Sequence, residues 1–187
     1  MLNWTPEAEQ FRLRLHCAAT WLPEYDWPAV DEDSLLATLE TWLLPHMSGV
    51  HSLRALKALN VGQALRGLLD WSMLQRLDSE LPAHYTVPTG SRIAIRYHED
   101  NPPALAVRMQ EMFGEARTPT IAQGRVPLVL ELLSPAQRPL QVTSDLSAFW
   151  QGSYREVQKE MKGRYPKHVW PDDPANTAPT RRTKKYS

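Results

Sequence analysis

The amino-acid sequence predicts an α+β fold. It predicts an amino-terminal helical subdomain, then a small antiparallel sheet or partly open barrel, and then a long carboxyl-terminal helix. Two observations support this order: apolar side chains recur at helical spacing through the first 85 residues, and from residue 86 they alternate as in strands. The length of 187 residues suits one domain or two small ones. The 42% apolar and 22% charged residues are ordinary for a globular protein.

The helical part divides into several predicted helices. The clearest runs from Glu7 to Leu22, and Pro23 ends it. Three later helices are predicted from polar residues that can cap a helix amino terminus, namely Asp33, Ser52 or a neighbour of it, and Asn60. A last helical turn is predicted over residues 73–77.

Four strands are predicted in the next part. Residues 92–97 alternate, with Ile93 and Ile95 on one face. Further strands are predicted over residues 104–107, 126–132 and 140–143. Four short strands are enough for a small sheet or a partly open barrel.

The last predicted helix begins after Asp145 and ends near Gly163 and Pro166. After Pro171 the composition shifts to Pro, Asp, Asn, Thr, Arg and Lys, which favours disorder. The predicted divisions are a helical subdomain over residues 1–85, a β-rich subdomain over 86–144, the terminal helix with a basic-aromatic segment over 145–170, and a disordered basic tail over 171–187.

The net charge of zero averages over unlike segments. The chain has 21 basic and 21 acidic residues, but residues 1–150 carry 12 basic and 17 acidic ones. Residues 151–187 carry 9 basic and 4 acidic ones, a net charge of +5. Because binding depends on where the charge lies, neutrality does not exclude a polyanion as a partner.

The motifs of several enzyme classes are missing from the sequence. It has no phosphate-binding loop of the type G-x-x-x-x-G-K-[ST], no G-x-G-x-x-G and no G-x-S-x-G. His46 and His51 lack a cysteine or acidic partner at ligand spacing, so we expect no metal site. Cys17 lies on the apolar side of the first helix and is predicted to be a buried, inert thiol. We therefore predict no catalytic residue in this chain.

The sequence also bears on the compartment. Its longest run without a charged residue has 13 residues and contains Pro45, which is too short and too polar for a membrane span. The amino terminus lacks the pattern of a secretory signal, and the single cysteine cannot form an internal disulfide. These features predict a cytoplasmic protein that does not contact a membrane.

A basic-aromatic segment over residues 155–170 is the strongest functional signal. Its basic and aromatic side chains are Arg155, Lys159, Lys162, Arg164, Tyr165, Lys167, His168 and Trp170. A second basic cluster follows in the tail, at Arg181, Arg182, Lys184 and Lys185. Basic side chains neutralise phosphates, and aromatic rings stack on unpaired bases, so these twelve residues are candidates for binding single-stranded RNA or DNA.

A structural interpretation of the same residues stays open. Lys159 and Lys162 could form the solvated face of an amphipathic helix, paired with neighbouring glutamates. Tyr165 and Trp170 could instead hold the segment against the core. The tail cluster is as compatible with a solubility tail as with a loose electrostatic anchor.

Several segments resemble a known family. They are A-V-R-M-Q-E-M-F-G at 106–114, G-R-V-P-L-V-L at 124–130, L-L-S-P-A-Q-R-P-L-Q-V-T-S-D-L at 132–146, F-W at 149–150, S-Y at 153–154 and G-R-Y-P-K-H-V-W-P-D-D-P at 163–174. Together they resemble the carboxyl-terminal region of HrpB, a bacterial ATP-dependent RNA helicase related to the DEAH-box family. The resemblance extends over the whole chain.

The resemblance implies a division of labour. ATP hydrolysis and strand separation in that family belong to two RecA-like domains, which would use ATP and Mg²⁺, and no catalytic residue of theirs matches a position here. The first hypothesis is thus a non-catalytic accessory domain that binds or positions single-stranded RNA for the motor domains of the same polypeptide. The second is a protein-interaction module that docks the helicase core or another protein. An independent hydrolase is disfavoured, since no nucleophile with its base can be named. The oligomeric state is not indicated by the sequence.

Overall fold

A computed structural model of the protein describes residues 2–183. The chain divides into two compact units. The helical unit comprises Met1–Pro82 and Tyr97–Asn101, and the sheet unit comprises Ala83–Arg96 and Pro102–Ser187. Within the described residues, no helix is both long enough and apolar enough to span a membrane.

The helical unit consists of short helices that follow one long one. The α-helices are α1 (Pro6–Trp21), α2 (Glu32–Ala37), α3 (Leu39–Trp42), α4 (Leu53–Lys57), α5 (Val61–Arg66) and α6 (Trp71–Glu80), with a 3₁₀ turn at Leu44–His46 between α3 and α4. Side-chain caps explain where each of these α-helices except α3 begins. The predicted caps Ser52 and Asn60 are confirmed, since they accept backbone N–H bonds from Ala55 and Gln63.

Two of the predicted helix limits are wrong. The second helix is capped by Asp31 rather than Asp33, because the Asp31 carboxylate accepts the backbone N–H of Ser34. The last helix of the unit extends over Trp71–Glu80 instead of a single turn, since Asp70 caps it.

The core of the helical unit forms around α1. Its buried side chains include Phe11, Leu15 and Ala18, and α1 packs against α5 and α6. Cys17 is buried as predicted, and burial raises the pKa of its thiol to about 11. Arg14 is also buried, and donates to the Leu81 backbone oxygen at 2.8 Å.

Residues 97–101 connect two strands of the sheet unit but belong to the helical unit. The Gln10 side chain accepts the backbone N–H of Tyr97 and donates to its oxygen, at 2.8 and 3.1 Å. The Tyr97 hydroxyl donates to the backbone oxygen of Pro82 at 2.6 Å, and Glu99 pairs with Arg12. Residues 97–101 are therefore held by α1 and by the segment that follows α6.

Among its described residues, the sheet unit has seven strands. They are β1 (His84–Thr86), β2 (Arg92–Arg96), β3 (Ala104–Arg108), β4 (Thr120–Ile121), β5 (Val126–Pro127), β6 (Val129–Leu133) and β7 (Pro139–Thr143). Five of them form one sheet in the order β1-β2-β3-β6-β7, and β4 and β5 form a separate antiparallel pair. The α+β class is confirmed. Among residues 2–183 the strands do not close into a barrel.

The prediction of an antiparallel sheet is wrong at its centre. Strands β3 and β6 are parallel, with Leu105 opposite Leu130 and Val107 opposite Leu132. These four leucine and valine side chains are buried. The connection over residues 109–128, which includes a 3₁₀ turn at Met109–Met112, is long enough to cross over and return in the same direction.

The prediction of one long carboxyl-terminal helix is also wrong. The segment forms α7 (Leu146–Gln151) and α8 (Tyr154–Arg164), although Asp145 caps its start as predicted. Gly152 separates the helices, with φ −116° and ψ −105°, outside the helical region. Glycine weakens a helix, and the break lets the Tyr154 ring meet the Trp150 ring edge-on at 5.3 Å.

Residues 171–183 differ from the disorder that their composition predicts. They form a 3₁₀ turn at Pro174–Asn176, and the Pro174 ring is buried. The Gly114 backbone N–H donates to the Pro174 oxygen at 2.8 Å. The Thr180 N–H donates to the Gln110 oxygen at 3.1 Å. Backbone hydrogen bonds and a buried proline thus anchor a polar segment to the sheet unit.

Candidate nucleic-acid interface

Helix α8 presents three basic residues on one exposed face. Arg155, Lys159 and Lys162 lie four and three residues apart, so their side chains project from the same side of the helix, and all three are exposed. We call these three residues the basic stripe. The side of α8 that lies about 100° around the helix from the stripe is buried through Tyr154, Gln158 and Met161, so packing against the rest of the sheet unit fixes the direction in which the stripe faces.

The basic side chains differ in how far carboxylates neutralise them. The Nζ atom of Lys162 lies 3.9 Å from Oδ1 of Asp172. The Nη1 atom of Arg164 lies 3.6 Å from Oε1 of Glu160. For Arg155 and Lys159, by contrast, the structure of residues 2–183 shows no carboxylate oxygen within 4 Å. Lys167 is exposed just beyond the helix. Positive charge is therefore most available at the amino-terminal half of the stripe.

Trp170 is not positioned to stack on a base. It is only 4% exposed, its indole N–H donates to the Tyr165 oxygen at 2.9 Å, and its ring meets Phe113 edge-on at 6.5 Å. His168 and Tyr165 are half-buried, and Nδ1 of His168 lies 3.2 Å from the side-chain nitrogen of Gln110. The structure matches the open interpretation in which Trp170 holds the segment on the core.

Gln158 is a residue that the sequence reasoning missed. Its side-chain nitrogen lies 3.0 Å from the backbone oxygens of Trp170 and Pro171 and 2.7 Å from the Asp172 carboxylate. The Tyr154 hydroxyl donates to the same Pro171 oxygen at 2.6 Å, and burial raises the pKa of that phenol. These bonds fasten the segment after α8 to the helix. The sequence signal that could have revealed this role was the position of Gln158, a polar residue, on the apolar side of the predicted helix.

A polar cleft opens at the amino-terminal end of the stripe. Its volume is about 380 Å³, and its lining includes Arg155, Ser147, Gln151 and Asn176 together with the carboxylates of Asp172 and Asp173. Amide and hydroxyl groups of this kind can hydrogen-bond the edge of an unpaired base.

In the tail cluster, Arg181 contacts residues that do not belong to the basic stripe. The Arg181 guanidinium donates to the Ser91 hydroxyl at 3.1 Å and lies 3.9 Å from the Glu111 carboxylate. Arg182 is exposed. Lys184 and Lys185 lie outside the described residues.

The two units carry opposite net charges. The helical unit has 6 basic and 13 acidic residues, a net charge of −7, and the sheet unit has 15 and 8, a net charge of +7. The basic stripe thus lies on the unit whose overall field attracts a polyanion. In the part of the chain that the structure describes, no three His, Cys, Asp or Glu side chains come together as metal ligands would.

Comparison with known proteins places the chain in a family. The family model described as "ATP-dependent helicase C-terminal", HrpB_C, matches residues 42–174. The chain belongs to this HrpB carboxyl-terminal family. The resemblance seen in the sequence is confirmed. The family match includes the basic stripe, the Trp170 anchor and the cleft lining as far as Pro174, and it ends before the tail cluster.

A curated HrpB relative and two solved HrpB structures are similar to this chain. It is 88% identical to the ATP-dependent RNA helicase HrpB of Escherichia coli (strain K12), over 100% of this chain and 23% of that protein. A crystal structure of E. coli DExH-box NTPase HrpB has a TM-score of 0.94 at 88% identity, covering 97% of this chain and 22% of that one. A crystal structure of Escherichia coli DEAH/RHA helicase HrpB has a TM-score of 0.79 at 85% identity, covering 90% and 21%. This chain spans less than a quarter of each relative's length.

Proposed function

We propose that this chain is a non-catalytic accessory domain of an HrpB-type ATP-dependent RNA helicase, and that it binds or positions single-stranded RNA. The observation that carries the proposal is the exposed pair Arg155 and Lys159, which have no carboxylate partner among residues 2–183, on a unit of net charge +7. The similarity to a protein named ATP-dependent RNA helicase supports RNA as the polyanion.

In this proposal the sheet unit holds the RNA backbone on a fixed surface. Arg155, Lys159 and Lys162 contact successive phosphates, and Lys167 extends the surface beyond the helix. A base that leaves the stack enters the polar cleft beside Arg155. Trp170 and Gln158 position this surface without contacting RNA, because both are buried.

The motor domains of the same polypeptide are the proposed partners. They would supply the ATP and Mg²⁺ chemistry that the resemblance implies. This chain would hold single-stranded RNA near the point where the RNA enters or leaves the motor domains. RNA held in this way is released and rebound as the motor moves, so we expect weak, salt-dependent binding rather than tight binding.

The test is fluorescence anisotropy of a labelled single-stranded RNA at several salt concentrations. If about four phosphates are contacted, the logarithm of the binding constant falls with the logarithm of salt concentration at a slope of roughly −2.8. The stripe variant Arg155→Glu with Lys159→Glu should weaken binding by about tenfold or more.

A matched control separates the stripe from net charge. Arg92→Glu with Arg138→Glu makes the same charge change at two exposed arginines elsewhere in the sheet unit, and should weaken binding much less. Absence of binding at low salt would refute the proposal. Equal losses in both variants would mean that the field of the unit, rather than the stripe, attracts RNA.

A further inference from the structure

The helical unit contains a groove that lies outside the proposed RNA-binding surface. Its volume is about 510 Å³, and it lies among the amino-terminal segment, α1, α2 and α3. Leu35 and Trp42 line it and are buried. Trp4 and Leu36, at 39% and 59% exposure, also line it. Two large apolar side chains at the surface of one groove leave an apolar lining unburied, which is typical of an interaction site.

Carboxylates also line the groove. Glu9, Glu32 and Glu99 belong to its lining, and Arg12 is the basic residue among them. The Arg12 guanidinium is already paired, at 2.6 Å with Glu9 and at 2.8 Å with Glu99. The surplus charge of the lining is therefore negative, in a unit of net charge −7.

This combination of groups selects the chemistry of the occupant. Nucleic acids and anionic lipid surfaces are repelled by the carboxylates and by the field of the unit. A wholly apolar ligand would leave Glu32 without a partner and would gain nothing from the charge. A peptide with an apolar anchor flanked by lysine or arginine complements both features, since it fills the groove and meets the carboxylates.

We propose that this groove is a docking site for a basic peptide segment of a protein partner. The segment inserts a leucine or aromatic side chain between Trp4 and Leu36 and places lysine or arginine side chains against Glu32 and Glu99. This inference goes beyond the RNA role, because it assigns a protein ligand to the helical unit and depends on none of the basic residues of the sheet unit.

The experiment selects binders from a random library of 12-residue peptides displayed on phage, with the whole chain as bait. The enriched peptides should each carry at least one leucine or aromatic residue together with two or more lysine or arginine residues. A synthetic copy of the most enriched peptide is then titrated by anisotropy against two variants. Leu36→Glu places a charge at the groove, and Leu53→Glu makes the same change at a leucine of α4 that is 69% exposed and outside the lining.

The expected result is a loss of about tenfold or more in peptide affinity for Leu36→Glu and less than about twofold for Leu53→Glu. RNA affinity should be unchanged in both variants. Circular dichroism verifies that each variant is folded, as expected for substitutions at exposed positions.

Four outcomes would overturn the proposal. They are no enrichment over a selection without bait, enriched peptides that lack basic residues, equal losses in the two variants, and a weakened RNA complex in Leu36→Glu. A sizing experiment covers the remaining occupant: if the chain self-associates and Leu36→Glu abolishes that, a second copy occupies the groove and the peptide assignment is wrong.

Discussion

Among residues 2–183, the helical unit and the sheet unit each bury one charged side chain, and the signs are opposite. The helical unit, of net charge −7, buries Arg14, and the sheet unit, of net charge +7, buries Glu111. Arg14 donates to the Leu81 backbone oxygen and to Asp78, at 2.8 and 2.7 Å. The Glu111 carboxylate accepts bonds from the hydroxyls of two residues in the β1–β2 turn, Thr89 at 2.8 Å and Ser91 at 2.9 Å.

The comparison between the units shows how a chain of zero net charge can contain buried charged side chains of both signs. Each buried group lies in the field of its own unit, and that field favours its sign. Each also joins segments that are distant in sequence: Arg14 reaches 67 residues ahead to Leu81, and Glu111 reaches 22 residues back to Thr89. The buried charges therefore specify which segments pack together, while their contribution to stability depends on complete pairing.

The largest expected effect concerns the anchor of the candidate RNA surface. Trp170→Ala removes a buried ring and its hydrogen bond, and should lower the free energy of unfolding by about 3–5 kcal/mol. The matched control in the helical unit is Trp71→Ala, since that ring is 76% exposed, and it should change stability by less than about 0.5 kcal/mol. Urea denaturation followed by circular dichroism measures both.

Trp170→Phe keeps an aromatic ring at the anchor and separates its two interpretations. If Trp170 positions the segment, this variant has a lower free energy of unfolding than wild type. Its RNA affinity stays nearly unchanged. An RNA affinity that falls with unchanged stability would show instead that the ring stacks on a base, contrary to its burial.

A second prediction tests the two buried charges against each other. Arg14→Ala and Glu111→Ala each remove a buried group whose partners are left unpaired, so each should cost about 2–4 kcal/mol. Hydrogen exchange should show faster exchange in the helical unit for Arg14→Ala and in the sheet unit for Glu111→Ala. Faster exchange throughout both units in either variant would contradict the assignment of one buried charge to each unit.

Local sequence signals predicted much of the secondary structure. Ser52, Asn60 and Asp145 are caps because a short polar side chain precedes an apolar stripe, and that relation is contained in a few neighbouring residues. Strands β2, β3, β6 and β7 follow alternation or apolar runs in the same way. The three-residue strand β1 is too short for its period to be recognised.

The remaining features depend on contacts between distant residues. Nothing local shows that β3 and β6 are parallel, because the direction of β6 is set by the path of residues 109–128. The burial of Arg14 depends on a carbonyl at the end of α6. In the candidate RNA site, helical period favoured a solvated face with Lys159 and Lys162, which are exposed, whereas the burial of Trp170 depends on Phe113 and Gln158.

The smallest expected effect concerns Glu99, on the connection that belongs to the helical unit. A hydrogen bond from the Arg12 guanidinium lowers the pKa of Glu99 below its usual value. A carboxylate with a lowered folded pKa stabilises the fold above its unfolded pKa of about 4.3, and this contribution is lost as pH falls through the folded pKa. Because the Glu99 side chain is 45% exposed, solvent screens the pair, and we expect Glu99→Gln to cost less than about 1 kcal/mol at pH 7.

The pH profile distinguishes this ion pair from general acid denaturation. The free energies of unfolding of wild type and Glu99→Gln should differ at pH 7, converge as pH falls below about 4, and differ less in high salt. Asp100→Asn is the control, since its carboxylate makes no ion pair among residues 2–183. Profiles of Glu99→Gln and wild type that coincide at every pH would mean that Arg12 is neutralised by Glu9 alone. The carboxylate of Glu99 would then contribute its full negative charge to the lining of the groove.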